Sequence, residues 1–236
     1  YGGIAMSLLD GWWDDFFFGL MTVLQVFLVS LVIAVVCGLI GASAKLSKSR
    51  ILRGIAQAYT VVFRGAPELL VLLLFYFGMA IALTKLVQFV DPSVKFIDLP
   101  PFWAGSIAIG LIVGAYMTET FRGAFLGVDR GQVEAARALS LKRHQIFRYV
   151  RLPQMWRLAL PNFGNHMLSI MKDTALVSII GLEEILFVAK MANSLIHRPF
   201  LLYMTVALIY LAMTTVITLA VGRLEQRANR HLRGAR

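Results

Sequence analysis

The chain has 236 residues, 58% of them hydrophobic and 15% charged, with a formal net charge of +10. Soluble domains carry roughly 25% charged residues, so this composition excludes an ordinary water-soluble globule. Nor does the basic excess indicate nucleic acid: 17 of the 23 Lys and Arg residues fall in three segments that alternate with apolar stretches, and nothing beside them reads a base.

Residues 1 to 15 hold Asp10, Asp14 and Asp15 and no Lys or Arg, the reverse of a signal peptide's basic start, so no cleavable leader is expected. Phe16 to Ala44 then runs for 29 residues without a charge. About 18 suffice for a transmembrane helix; at about 1.5 Å per residue this run reaches roughly 43 Å, so part of it must tilt or leave the ~30 Å hydrocarbon core. Cys37, the lone cysteine, lies inside it and can form no intrachain disulfide.

A basic segment from Lys45 to Arg53 leads to a second span over 55–84, strongest from Leu69 to Phe77. The third covers 102–122, where Gly105, Gly110 and Gly114 permit close helix contact. A charged loop occupies 123–157. The fourth span, 158–182, is broken by Pro161, Asn162, Asn165, His166, Lys172 and Asp173, whereas 200–222 carries no charge. The expectation is an all-α integral membrane protein, a single domain over 1–236 with five transmembrane helices.

Lys and Arg number none before the first span, then four, two, eight, two and five in the successive flanks. That alternation places the N-terminus outside and the C-terminus inside. Trp12, Trp13, Trp103 and Trp156 all fall at predicted span ends, where amphipathic rings favour the headgroup level.

Within the 123–157 loop, apolar residues recur at helical spacing in two short pieces. Val133, Ala136 and Leu139 share one side of the first, and Ile146, Phe147 and Val150 form a stripe on the second. Ser140-Leu141 separates them, and Pro153 is expected to end the second because it has no N–H to donate. Ala135 and Ala136 allow close backbone approach while Glu134 and Arg137 offer charge, a combination suited to a groove on a partner. An amphipathic pair that merely packs beneath the bundle is the other reading of the same residues.

Ionisable residues at membrane depth mark functional positions. Glu119 either pairs with Arg122, three positions on, or lines a path. Asn162, Asn165, Ser169 and Asp173 follow helical spacing on one face, with Lys172 and Thr174 beside them, as expected of a helix lining a hydrated path. The four His, Cys37 and the acids show no metal-ligand spacing. No Gly-Lys dipeptide occurs, so a phosphate-cradling P-loop is absent, and neither His-Glu-x-x-His nor Gly-x-Ser-x-Gly is present. The chain is therefore expected to be non-catalytic.

Glu134-Ala135-Ala136, Ser140 and Leu152-Pro153 resemble the EAA loop of permease subunits in bacterial ABC importers. Ser140 stands where that pattern has Gly, and Val150 where it has Ile. Phe63-Arg64-Gly65-Ala66-Pro67, Glu119-Thr120-Phe121-Arg122-Gly123-Ala124 and Lys172-Asp173-Thr174-Ala175-Leu176-Val177-Ser178 are similar to the branch of that family for polar amino acids. The resemblance implies a multi-pass inner-membrane permease of the histidine, glutamine, arginine or opine type. It implies a second permease subunit, identical or homologous, and a cytoplasmic coupling helix seated in each of two ATP-hydrolysing subunits. Those partners would hold ATP and magnesium, this chain would bind no cofactor, and a periplasmic binding protein would deliver the solute. On that resemblance Glu134, Ala135, Ala136, Ser140, Leu152 and Pro153 are the coupling residues; the candidate path, from polarity at membrane depth, is Glu119, Asn162, Asn165, Ser169, Lys172, Asp173 and Thr174. A stand-alone secondary transporter or channel is the alternative, although five spans do not halve into equal repeats.

Overall fold

The structure is a computed structural model and describes residues 11–229. Asp10 in the acidic N-terminal segment and the basic residues from Arg230 to Arg236 lie outside the described residues. All regular structure among the described residues is helical. The helices are α1 (Trp13–Lys45), α2 (Arg50–Gly65), α3 (Glu68–Gln88), α4 (Pro101–Leu126), α5 (Arg130–Ala138), α6 (Arg143–Ile146), α7 (Leu152–Asp173), α8 (Ile185–Ile196) and α9 (Pro199–Ala228).

Four of them, α1, α3, α4 and α9, are long and apolar enough to cross a membrane. α7 has 22 residues, but the polar groups that interrupt it keep it out of that set.

α4 is the centre of the bundle. Its buried residues are mostly small, Ala104, Gly105, Ser106, Ala108, Gly110, Gly114 and Ala115 among them, so neighbouring backbones can approach from several sides. α1 offers the matching stripe of Ser30, Ala34, Gly38, Gly41 and Ala42. A Cβ at Gly110 would stand 2.6 Å from Ile33 Cγ2, and one at Gly38 would stand 2.7 Å from Met117 Cβ. Gly114 meets Cys37 and Gly105 meets Val177 at similarly short range, so all three glycines singled out in the sequence sit at close contacts. The buried Ser30 hydroxyl donates to the Ser106 carbonyl at 3.0 Å, which satisfies it inside this apolar seam.

The sequence expectations are altered in three places. The stretch 55–84 is two helices. Ala66, which precedes Pro67, is extended (φ −95°, ψ 148°), because a following proline ring disfavours the helical region. α2 on the near side of this break is amphipathic: Arg50, Arg53, Gln57 and Arg64 recur along one side, and Ile51, Ile55 and Val62 lie exposed on the other.

Pro153 does not end the second piece of the loop. The chain stays helical from Arg143 to Asp173 through a π turn at Phe147–Arg151, where the Leu152 N–H donates to the Phe147 carbonyl five residues back. This wider turn immediately precedes the residue that cannot donate.

Residues 183–199, taken as a plain connection, contain α8. Its Ile185, Val188, Ala189 and Ala192 are buried against α1 and α9. α8 follows a 3₁₀ segment, Thr174–Ile180, and a left-handed Gly181 (φ 87°).

Candidate functional site

Two regions gather the residues expected to act, and the first is the loop helix α5. Asp129 caps it, accepting from the N–H groups of Gly131 (2.6 Å) and Gln132 (3.4 Å). Val133 and Ala136 turn inward and are buried, while Glu134, Ala135 and Arg137 point outward. The alanine pair is therefore split: only Ala135 is free to meet a neighbour, and Ala136 packs the helix down.

Leu139, expected on the buried side, is 77% exposed. Ser140 adopts φ 58°, the left-handed conformation for which glycine is best suited. Gln154, on the first turn of α7, hydrogen-bonds Gln132 on α5, and Phe125 at the end of α4 stacks on Phe147 at 6.2 Å. Leu152 and Pro153 are exposed just beyond the π turn. The loop is thus a braced elbow with one polar, outward face.

The second region lies where α2, α4 and α7 meet. Glu119 does not stand free. One carboxylate oxygen takes the ammonium of Lys45 at the end of α1, and the other accepts from Arg122 Nε at 2.8 Å. Lys45 also donates to Gln57 Oε1 (2.8 Å) and Thr60 Oγ1 (2.6 Å) on α2, so this one carboxylate ties three helices together.

A turn away, the Arg64 guanidinium sits 5.3 Å from the Tyr116 ring centroid, a cation–π arrangement. Tyr116 neighbours His166, whose Nε2 is 2.8 Å from Thr120 Oγ1. Among the described residues Arg64 makes no ion pair.

Along α7, Asn162 is exposed and Ser169 and Asp173 are half-buried, and helical spacing puts all three on the side of His166. Asn165 turns away, lining a groove with Pro161, Gly164 and Leu168 against Thr218 and Val221 of α9. Lys172 is exposed. Thr174 does not join the face: it is buried, donates to the Met171 carbonyl at 2.6 Å and lies 3.4 Å from the Tyr210 hydroxyl. Asp173 finds instead the carboxyl group of Glu68, the first residue of α3. Among the described residues no cluster of His, Cys, Asp and Glu could hold a metal ion.

Residues 34–230 match the family model of the binding-protein-dependent transport system inner membrane component. The chain belongs to that family. Among its relatives, the histidine/lysine/arginine/ornithine transport system permease protein HisQ of Escherichia coli K12 is 42% identical over 209 residues, covering 89% of this chain and 91% of that one. The octopine transport system permease protein OccQ of Rhizobium meliloti is 38% identical over 224 residues, covering 95% and 94%. A crystal structure of an amino acid ABC transporter with histidines contains a chain 33% identical to this one, with a TM-score of 0.76 over 91% of this chain and 94% of that chain. A chain from an inward-facing structure of the MetNI methionine ABC transporter shares the fold at 16% identity and a TM-score of 0.71.

Several features of this permease were not read from its sequence. Tyr116 was not singled out, Lys45, Arg64 and Thr120 were named only within a basic segment or a motif and given no role of their own, and the nearness of Glu68 to Asp173 was not foreseen. Also missed was Glu184, which is fully buried and caps α8 by accepting from Leu186 N (2.9 Å) and Phe187 N (3.0 Å). The Tyr210 hydroxyl donates to the same carboxyl group at 3.1 Å. The signal for this cap was present: an acid directly before apolar residues at 185, 188, 189 and 192.

Proposed function

We propose that this permease is the membrane subunit of an ATP-driven importer for a polar amino acid or an amino-acid derivative. In this reading α1, α3, α4, α7 and α9 are five crossings of the bacterial inner membrane, with the N-terminus outside and α5 in the cytoplasm. The Lys and Arg distribution supports that orientation. Glu68 beside Asp173, at the end of α7 far from the elbow, supports a crossing that α3 shares with α2, whose Arg50 end lies at the inner leaflet.

One observation carries the functional reading. A chain whose long apolar helices belong to a transport-permease fold holds a short helix clear of the bundle, braced from below, with Glu134 and Ala135 facing outward. α5 is the coupling helix, seated on an ATPase subunit that binds ATP and magnesium; Ser140 sets its exit, and Leu152 and Pro153 lead from it into α7. A second permease subunit and a periplasmic binding protein complete the assembly. The solute passes along the Asn162, His166, Ser169 and Asp173 side of α7, facing Arg64 and Glu68. Glu119 is a structural tie at the mouth of that path. The names of the relatives support a cationic amino acid or an opine as the solute.

The test is reconstitution in vesicles with the ATPase, the partner permease and the binding protein. ATP-dependent accumulation of labelled L-arginine, L-histidine or octopine is expected. Accumulation by this chain alone, without nucleotide, would assign it to secondary transport.

A further inference from the structure

A cleft of about 500 Å³ opens between the loop end of α1, α2 and α4, lined by Lys45, Arg53, Gly54, Gln57 and Arg122. Its charge is unbalanced. Three cations line it, Lys45, Arg53 and Arg122, and among the described residues Glu119 is the only carboxylate that pairs with any of them. Among the described residues the Arg53 guanidinium donates only to backbone carbonyls, Ser47 at 3.0 Å and Lys48 at 3.4 Å. No carboxylate among the described residues neutralises its charge.

The neighbouring surface fixes the depth of the cleft. α2 turns Ile51 (74% exposed), Ile55 (63%) and Val62 (61%) outward on the side opposite Arg53. Arg53, on the first turns of α2 and bonded to the Ser47–Lys48 connection that the basic residues place on the cytoplasmic side, stands at headgroup level. The cleft also has room. A Cβ at Gly54 would have no neighbour within 4 Å, so packing does not require glycine there.

We infer that this cleft is a binding site for the headgroup of an anionic phospholipid of the inner leaflet, whose phosphodiester is held by Arg53 and Arg122 while its acyl chains run along the apolar side of α2. Basic pockets between transmembrane helices suit such headgroups, and each Lys or Arg near the surface strengthens the attraction. The inference uses the membrane orientation proposed above but not the identity of the transported solute.

The experiment titrates the full chain in detergent micelles with short-chain phosphatidylglycerol and short-chain phosphatidylcholine, reading bound lipid by native mass spectrometry. The wild type should prefer phosphatidylglycerol. Arg53→Gln should weaken phosphatidylglycerol about fivefold and leave phosphatidylcholine unchanged. Gly54→Trp, which fills the cleft without altering charge, should abolish the preference, whereas Arg198→Gln at the far end should keep it. Equal affinities for the two lipids, or a preference that survives both cleft variants, overturns the site. Glycerol 1-phosphate binding as tightly as phosphatidylglycerol would assign the cleft to a soluble anion and overturn the lipid assignment. Because lipid binding needs no ATP and no solute, a failed uptake assay leaves this outcome standing.

Discussion

The α1–α4 seam and the polar margin of α2 and α7 are built on opposite principles within one bundle. The seam is dry and made of small residues, and glycines let its two backbones touch, so its stability comes from close packing. The margin holds Arg64, His166, Ser169, Asp173 and Glu68 half-buried or exposed, joined by few bonds. The chain keeps rigidity and polarity on different helices. A permease needs one body that does not yield and another surface that can be wetted and re-paired.

Substitutions can break or sharpen this contrast. The largest effect is expected inside the seam. Gly110→Leu forces a side chain into Ile33 and should cost about 3 kcal/mol, seen as loss of monodisperse protein in size-exclusion chromatography. Next is the tie between the regions. Glu119→Gln leaves the Lys45 ammonium, 7% exposed, without its anion and should cost about 2 kcal/mol, read from the thermal midpoint in detergent.

The outward face of α5 should answer in coupling rather than in stability. Glu134→Lys is expected to lower ATP-driven uptake about tenfold at unchanged midpoint, the size of one interface anchor. Unaltered uptake and ATPase stimulation would remove Glu134 from the contact. On the margin, Asp173→Ala should cut uptake severalfold while assembly and stimulated hydrolysis persist, and wild-type uptake would take Asp173 off the path. The smallest effect is a gain: Ser140→Gly relieves the left-handed residue and should stabilise by about 1 kcal/mol, raising the midpoint by about 2–4 °C.

What the sequence revealed follows the range over which each signal acts. The apolar helices were legible because a bilayer demands long charge-free runs, and α5 was legible from its apolar spacing. The break at Ala66-Pro67 was hidden because α3 is hydrophobic enough to mask the amphipathic helix before it. α8 was overlooked because it is short and follows an irregular stretch, although its spacing was regular. Pairings across the fold were not legible. Arg122 could be proposed for Glu119 from three residues away, but Lys45 is 74 residues distant. The meeting of Glu68 with Asp173 likewise exists only once the start of α3 is brought to the end of α7. Spacing set Ala136 on the apolar side with Val133, where it is buried, but the paired reading of Ala135 and Ala136 as a contact surface did not separate the member that faces out.

Pro161 lies inside α7 and has no N–H, so the Arg157 carbonyl is left without its helical donor and the rod has a soft joint there. Asp173 is twelve residues beyond it, about 18 Å along the axis. A 10° change of bend at that joint swings the Asp173 end sideways by about 3 Å, enough to part its carboxyl from Glu68 while the elbow at the other end stays seated.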